Sequence, residues 1–280
     1  MSHDTEFRLF PSMAKHTMKH FSQSACRRWL VLSLMTLFSG ASVAGELVKV
    51  PTRPDIITNV FWHETPNAKA TVLIFTGGGG GFGRIENGLP TSGNFLVRSA
   101  QHWIDEGFNY VVFGKPTDMP DLDFAIRVSE PHLRDIDSVL TWLKTKTRTP
   151  IWMVGTSRGT ISTVYALINL KDPQIAGGVL TASVVSYKKV GAIPTQDLAK
   201  ITVPMLVFHH EQDACEICRP YEVPAVMRGL SNAPIKKLMM VNGGANPTGP
   251  ACEAQHYHGF IGMEREAVAS IAQWMRHPTH

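Results

Sequence analysis

The sequence is short of cysteine, of net charge and of long apolar runs, and each shortage excludes a class of protein. Four cysteines in 280 residues are too few for a small fold held together by disulfides. The sequence has 27 basic residues (Lys and Arg) and 23 acidic residues (Asp and Glu). Five of the basic and two of the acidic residues lie in residues 1–44, so residues 45–280 hold 22 basic and 21 acidic residues. This nearly neutral remainder offers no electrostatic basis for binding nucleic acid or an anionic membrane. We therefore expect neither as a partner.

The most apolar run near the N-terminus is Trp29–Phe38, about ten residues long. It follows Arg27-Arg28 and is followed by small residues that end at Ala44. A membrane-spanning helix needs roughly 20 apolar residues, whereas a basic start, a short apolar stretch and a small-x-small end are typical of a secretory signal. We predict that residues 1–44 are a signal peptide with an upstream extension. The remaining residues 45–280 are then one exported domain, either periplasmic or secreted.

Apolar runs alternate with amphipathic segments along residues 45–280, with 44% hydrophobic and 18% charged residues overall. This pattern predicts an α/β fold with a largely parallel sheet flanked by helices. Several later strands are continuous apolar runs, as expected of strands buried on both faces. The eight predicted strands are Glu46–Val50, Ile56–Trp62, Ala70–Thr76, Tyr110–Phe113, Ile151–Gly155, Gly178–Thr181, Pro204–His209 and Lys237–Val241. The five predicted helices are Phe95–Glu106, Pro131–Thr145, Arg158–Asn169, Tyr221–Leu230 and Phe260–Trp274.

The most informative motif is Gly155-Thr156-Ser157-Arg158-Gly159, which follows a buried strand and precedes a helix. Gly-x-Ser-x-Gly in this context is the nucleophile elbow, a tight turn that exposes the serine hydroxyl at the end of a strand. The pattern by itself also fits an ordinary strand-to-helix turn with a capping serine. Ser157 is therefore a candidate nucleophile that needs a base and an acid.

Candidates for the acid and the base follow in the order that an elbow fold requires, which is serine, acid, histidine. Asp213 lies three residues after the buried run Pro204–His210, with Glu211 as a nearby alternative. His258 lies after the eighth strand, immediately before the last predicted helix, with His256 as its competitor. The pair His209-His210 could instead serve a metal. However, the sequence lacks the paired spacings of a closed zinc site, so we predict no metal.

The run Gly77–Gly81 follows the third predicted strand and is the clearest candidate for an oxyanion loop. A phosphate-binding loop is the alternative, but no Gly-Lys-Ser/Thr follows and no dinucleotide fingerprint is present. Glycines allow backbone N–H groups to turn towards a substrate oxygen. We expect Gly78 or Gly79 to supply one donor and the N–H of Arg158 the other. No cofactor is predicted.

Three cysteines remain after residue 44, so one disulfide and one free thiol is the simplest arrangement. A bridge from Cys215 or Cys218 to Cys252 would join the predicted acid loop to the predicted histidine loop. The alternative is a Cys215–Cys218 ring, which could be redox-active. The bridge between loops is favoured because a redox motif of this kind opens a helix early in its fold rather than following the predicted acid. The partner of Cys252 stays open.

With these residues in order, the chain resembles the α/β-hydrolase superfamily from about Glu46 to Trp274. More narrowly, it is similar to a bacterial exported subgroup of unassigned substrate that shares segments like Gly93–Ser99, Gly155–Thr160 and His258–Phe260. The resemblance implies a serine hydrolase with a catalytic triad of Ser157, Asp213 and His258. It implies no particular substrate.

The expected function is hydrolysis of an ester-type acyl bond in a small molecule. A peptidase or amidase with the same triad, or a binding protein that keeps the fold without turnover, is the alternative. The segment Ala182–Val203 is too short for a large lid, which favours small or exposed acyl groups. Arg84, Arg98 and Arg158 could recognise an acidic group on the substrate, although ordinary surface arginines are the simpler interpretation.

Overall fold

The computed structural model describes residues 44–280 and contains one large sheet and one small hairpin. The strands of the large sheet are β1 (Glu46–Arg53), β2 (Ile56–His63), β3 (Ala70–Phe75), β6 (Phe108–Pro116), β7 (Ile151–Thr156), β8 (Ile175–Thr181), β9 (Met205–His210) and β10 (Lys236–Val241), and the hairpin is formed by β4 (Ile85–Glu86) and β5 (Leu89–Pro90). The eight strands of the large sheet lie in the order β1-β2-β6-β3-β7-β8-β9-β10. β1 and β6 each pair antiparallel with β2, and all other neighbours pair in parallel.

All eight predicted strands form, and their mostly parallel pairing confirms the predicted fold class. The central strands are the continuous apolar runs, and β7 and β9 are buried along their whole length. Such strands are hydrophobic throughout because helices cover both faces of a parallel sheet. The two-residue strands of the hairpin were not predicted, since so short a segment carries no periodicity.

The helices differ more from their predicted bounds than the strands do. They are α1 (Phe95–Arg98), α2 (Ala100–Asp105), α3 (Glu130–Lys146), α4 (Gly159–Asn169), α5 (Pro224–Gly229) and α6 (Glu264–Arg276). The predicted first helix is interrupted at Ser99, and the predicted fourth is a 3-10 turn at Pro220–Glu222 followed by the short α5. The last helix begins four residues later than predicted because Phe260 has a φ of 56°, in the left-handed region.

Two apolar layers enclose the sheet, and successive residues of each strand enter opposite layers. Leu73 and Phe75 of β3 pack with α3 and α4, whereas Val72 and Ile74 pack with α1, α2 and α6. This alternation is the two-residue period of an extended chain. The layers hold β3 and β7 rigidly at the centre of the sheet, and the loops that follow these strands carry the candidate site.

The carboxyl ends of the parallel strands lie along one edge of the sheet. The glycine run follows β3, Ser157 follows β7, Asp213 follows β9 and the His258 loop follows β10. Ligands of open α/β sheets bind at this edge. Between β8 and β9 the chain forms two 3-10 turns, Ile193–Thr195 and Leu198–Lys200, in agreement with the absence of a large lid.

The predicted signal peptide falls outside the described residues, apart from Ala44. Between residues 44 and 280, no helix has the length and hydrophobicity that a bilayer span requires.

Candidate active site

Ser157 occupies a sharp turn between β7 and α4. Its φ is 51°, a left-handed conformation that a residue with a side chain adopts only when its surroundings impose it. The N–H of Ser157 donates to the Thr181 carbonyl of β8 at 3.0 Å, and its own carbonyl accepts from the Thr160 N–H at 2.9 Å. The turn is thus tied to both the sheet and the first turn of α4.

The two glycines of the motif are required by close packing around this turn. A Cβ on Gly159 would collide with the carbonyl oxygen of Phe75, and one on Gly155 would collide with the Thr163 hydroxyl. The glycine loop also comes close, since a Cβ on Gly77 would lie 2.9 Å from the Ser157 Cβ. The motif therefore has the strand–turn–helix structure of a nucleophile elbow.

Asp213 and His258 form a buried pair. His258 Nδ1 lies 2.9 Å from Asp213 Oδ2, although 45 residues separate them in sequence. The other carboxylate oxygen of Asp213 accepts the Cys215 N–H at 2.9 Å. Burial raises the pKa of Asp213, but hydrogen bonds from His209 and His258 outweigh this and lower its pKa to about 2. The carboxylate is therefore ionised at neutral pH and can orient a neutral imidazole through Nδ1–H.

His258 and Ser157 border one cavity. The cavity has a volume of about 430 Å³, and both residues line it. His258 is only 4% exposed, and its Nε2 has no hydrogen-bond partner among the described residues. The Ser157–His258 hydrogen bond is thus not formed in this structure.

The backbone N–H groups of Gly78, Gly79 and Arg158 donate to no protein acceptor in the part of the chain described, and all three residues border the cavity. Gly78 has a φ of 56°, a conformation that glycine adopts without a steric penalty. Buried or half-buried N–H groups are normally paired, so this cluster beside Ser157 is suited to binding a negatively charged oxygen.

Sequence reasoning missed Arg127, a buried arginine beneath the glycine loop. It is 1% exposed, and its Nη2 donates to the carbonyls of Thr76 at 3.0 Å and Gly78 at 3.1 Å. Its other nitrogens donate to Ser162 Oγ and the Leu122 carbonyl, both at 2.9 Å. Burial, followed by the positive charge of Arg158, lowers the pKa of Arg127 to about 9, so the guanidinium is still charged at neutral pH. No motif in the sequence marks Arg127, and its role is recognised only from its hydrogen-bond partners in the structure.

The structure joins Cys215 to Cys252 by a disulfide and leaves Cys218 as a buried free thiol. The favoured bridge between the acid loop and the histidine loop is confirmed, and Cys215 is the partner that the sequence left open. Burial raises the pKa of Cys218 well above its usual value, the charge of Asp213 raises it further, and the nearby Ser157 hydroxyl lowers it. Cys215, Cys218 and His258 bring potential metal-binding atoms within 4.8 Å of one another. However, the sulfur of Cys215 is bonded to Cys252 and cannot bind a metal as a thiolate.

The remaining histidine candidates support the loops. His209 Nε2 lies 3.4 Å from Asp213 Oδ2 and 2.8 Å from the Cys218 carbonyl. His210 lies 3.1 Å from the Gly243 carbonyl and stacks on Tyr257. No other His, Cys, Asp or Glu cluster with metal-binding geometry lies within residues 44–280. His256 packs edge-on against Tyr257 and, unlike His258, forms no hydrogen bond or ion pair with Asp213 in the described structure.

Two of the three candidate arginines have other partners. Arg98 donates to Glu264 Oε1 at 2.8 Å and to the Gly259 carbonyl at 2.6 Å, so it supports the histidine loop. Arg84 is highly exposed and pairs with Glu86. Arg158 lines the cavity.

Comparison with known proteins identifies the fold. No protein-family model matches the sequence, and no curated protein matches it. Among solved structures, an α/β serine hydrolase homologue from Coxiella burnetii has a TM-score of 0.54 at 17% identity, covering 84% of this chain and 96% of its own. An esterase of Pyrococcus furiosus has a TM-score of 0.59 at 15% identity and covers 83% and 92%. An acylaminoacyl peptidase of Pyrococcus horikoshii has a TM-score of 0.56 at 14% identity and covers 83% and 40%. The chain therefore has the α/β-hydrolase fold.

Proposed function

We propose that the protein is a serine hydrolase that cleaves an ester-type acyl bond in a small molecule. The observation that carries the proposal is the Asp213–His258 pair. His258 lines the cavity that contains Ser157, and its Nε2 has no hydrogen-bond partner among the described residues. A nucleophile, a base and an acid that orients the base are the parts of an acyl-enzyme mechanism. The strained elbow at Ser157 supports the same assignment.

In the proposed reaction, Ser157 Oγ attacks the substrate carbonyl carbon while His258 Nε2 takes the hydroxyl proton. Asp213 holds the imidazole in the required tautomer and stabilises the imidazolium that forms. His258 then gives the proton to the leaving alcohol as the carbonyl–oxygen bond breaks. A water molecule, deprotonated by His258, attacks the acyl-enzyme and releases the acid together with the free Ser157 hydroxyl.

The negatively charged oxygen of each tetrahedral intermediate is assigned to the N–H of Arg158 and that of Gly78 or Gly79. One such donor typically contributes about 3–4 kcal/mol to stabilising the transition state. Arg127 is assigned as a positioning residue. By holding the carbonyls of Thr76 and Gly78 on the far side of the loop, it directs the adjacent N–H groups towards the cavity.

A fluorophosphonate tests the proposal because it reacts covalently with a serine activated in this way. We would treat residues 45–280 and the Ser157→Ala variant with the reagent and record intact masses. The expected result is a single adduct on the wild-type protein and none on the variant. Ser186→Ala, a change at a serine outside the proposed triad, should keep the adduct.

An unlabelled but folded wild-type protein would remove the catalytic roles of all three triad residues and leave the binding-protein alternative. If the adduct forms, matched p-nitrophenyl esters and p-nitroanilides distinguish an esterase from an amidase or peptidase. The fold accommodates both activities, since the solved structures that resemble it include an esterase and a peptidase. Higher kcat/KM for the anilides would support the second alternative.

We also propose that residues 1–44 are removed on export and that residues 45–280 are the functional domain. The Cys215–Cys252 disulfide supports an oxidising compartment. The intact mass of the protein recovered from the periplasm or the medium tests this, with cleavage after Ala44 as the expected result. Recovery of the full-length chain from the cytoplasm alone would contradict it.

A further inference from the structure

Two cationic side chains flank one aromatic ring at the wall of the candidate active-site cavity. The guanidinium carbon of Arg158 lies 5.2 Å from the centre of the Phe124 ring, and Lys189 Nζ lies 5.4 Å from it. All three residues line the cavity that contains Ser157. Lys189 comes from the short segment between β8 and β9, and Phe124 from the loop that follows β6. Two positive charges from separate segments therefore lie at the cavity that contains the proposed nucleophile.

Neither cation has a carboxylate partner in the described residues. Arg158 and Lys189 form no ion pair within 4.0 Å, and no protein acceptor binds their side-chain nitrogens. Several other half-buried cations of this protein do have a carboxylate partner; Arg53, for example, lies 2.8 Å from Asp135 and Arg98 lies 2.8 Å from Glu264. A cation removed in part from water is stabilised by an anion or by hydrogen-bond acceptors. Arg158 and Lys189 have only the face of Phe124.

The carboxylates that line the cavity do not neutralise the positive charges of Arg158 and Lys189 by direct contact. Glu216 and Glu253 also line the cavity, but both are exposed and neither lies within 4.0 Å of Arg158 or Lys189. The charge of Arg158 contributes to lowering the pKa of the buried Arg127, so a third positive charge lies near the same wall. Asp121 and Asp123, which act on Arg127 in the opposite direction, do not line the cavity.

We infer that Arg158 and Lys189 form an anion subsite and that the protein prefers esters that carry a carboxylate in addition to the scissile bond. This inference rests on the proposed function. A guanidinium and an ammonium suit a carboxylate because each donates charge-assisted hydrogen bonds to it. Two cations and two carboxylates line the cavity in total, which favours a substrate with one negative charge over a doubly charged phosphate. The apolar face of Phe124 would contact the short chain that links the carboxylate to the ester.

Matched substrates test the subsite on each side of the scissile bond. On the acyl side, mono-p-nitrophenyl glutarate is compared with its methyl ester, which has no charge. On the leaving-group side, 4-acetoxybenzoate is compared with methyl 4-acetoxybenzoate. The measured quantity is the ratio of kcat/KM for the charged ester to that for its neutral partner. Taking this ratio removes any general effect of a variant on catalysis.

Lys189→Met and Arg158→Met should each lower the ratio about tenfold in one of the two substrate pairs, because each change removes a charge-assisted hydrogen bond to the carboxylate. Arg158→Met keeps the backbone N–H assigned to the oxyanion. Lys188→Met is the matched control, because Lys188 is the adjacent lysine and does not line this cavity. Its ratios should equal those of the wild type. Ratios unaffected by Lys189→Met and Arg158→Met in both pairs would overturn the inference.

A binding measurement separates failure of the inference from failure of the proposed function. Calorimetric titration of Ser157→Ala with glutarate needs no turnover, and adding Lys189→Met should weaken binding about tenfold. If the wild type hydrolyses no ester and forms no fluorophosphonate adduct, the proposed function and the ester preference fail, but this titration still decides whether Lys189 forms part of an anion subsite. If neutral esters are hydrolysed and Lys189→Met leaves glutarate affinity unchanged, only the inference is wrong.

Discussion

Nη2 of Arg127 lies 3.1 Å from the carbonyl oxygen of Gly78, a residue 49 positions earlier in the chain. The same nitrogen also binds the Thr76 carbonyl, and Nη1 binds Ser162 in α4. A charge buried without a carboxylate partner is costly unless its donors are satisfied. The guanidinium of Arg127 meets this requirement by donating to oxygen atoms of the glycine loop and α4. The hydrogen bonds that stabilise its buried charge therefore also fix the position of the proposed oxyanion loop.

Replacing Arg127 by lysine should lower kcat at least about tenfold with little change in KM. An ammonium cannot reach the four acceptors that the planar guanidinium bridges, so the loop loses part of its support and the oxyanion donors are misplaced in the transition state. Steady-state kinetics on a neutral p-nitrophenyl ester and the rate of fluorophosphonate labelling measure the effect. Urea unfolding of the same variant separates it from loss of stability. Unchanged kcat in a folded Arg127→Lys protein would exclude the positioning role.

Asp213→Asn should lower kcat by about 10⁴-fold while the protein stays folded. An amide in this position favours the wrong tautomer of His258 and cannot stabilise the imidazolium. Asp197→Asn is the matched control, because that carboxylate is exposed and pairs only with Lys200 in the described structure. A small effect of Asp213→Asn, similar to that of the control, would mean that another group orients His258.

Breaking the Cys215–Cys252 bridge should destabilise the protein and reduce its activity. The disulfide closes a loop of 37 residues, for which the chain-entropy model gives about 3–4 kcal/mol. Cys252→Ser should therefore lower the free energy of unfolding by about this amount, measured in urea, and should also lower kcat because the loops of Asp213 and His258 lose their link. Cys218→Ser keeps the bridge and is the control. Equal stability of both variants would contradict the expectation.

The buried His132 should make the protein less stable in acid. Burial, followed by the charges of Arg127 and Arg53, lowers its pKa from 6.5 to about 3. The unfolded chain therefore binds a proton that the folded chain does not. The contribution of His132 to stability is complete above about pH 6.5 and decreases towards pH 3, by at most about 1.4 kcal/mol for each pH unit.

His132→Gln, which keeps an acceptor for the Ser162 hydroxyl, tests this assignment. Urea unfolding at pH 7.5 and pH 5.5 should show a smaller loss of stability on acidification in the variant than in the wild type. An equal loss in both proteins would show that other groups cause the acid sensitivity.

The fold and the order of the candidate triad could be predicted because they depend on local patterns. Continuous apolar runs specify strands buried on both faces, and the glycines around Ser157 mark a turn in which a Cβ would collide with a neighbouring strand. Helix ends were predicted less well. The break at Ser99 and the left-handed Phe260 depend on packing against other elements rather than on local periodicity.

Tertiary structure decided what the distant residues do to one another. Three relationships join segments that are far apart in sequence. Cys215 rather than Cys218 pairs with Cys252, Arg127 supports the glycine loop, and Lys189 and Arg158 both lie over the Phe124 ring. Nothing in local composition distinguishes these side chains from surface arginines, surface lysines or a second free thiol. Their roles arise only when parallel strands bring their carboxyl ends to one edge of the sheet, because that juxtaposition brings the loops together and sets which charges are buried and which remain unpaired.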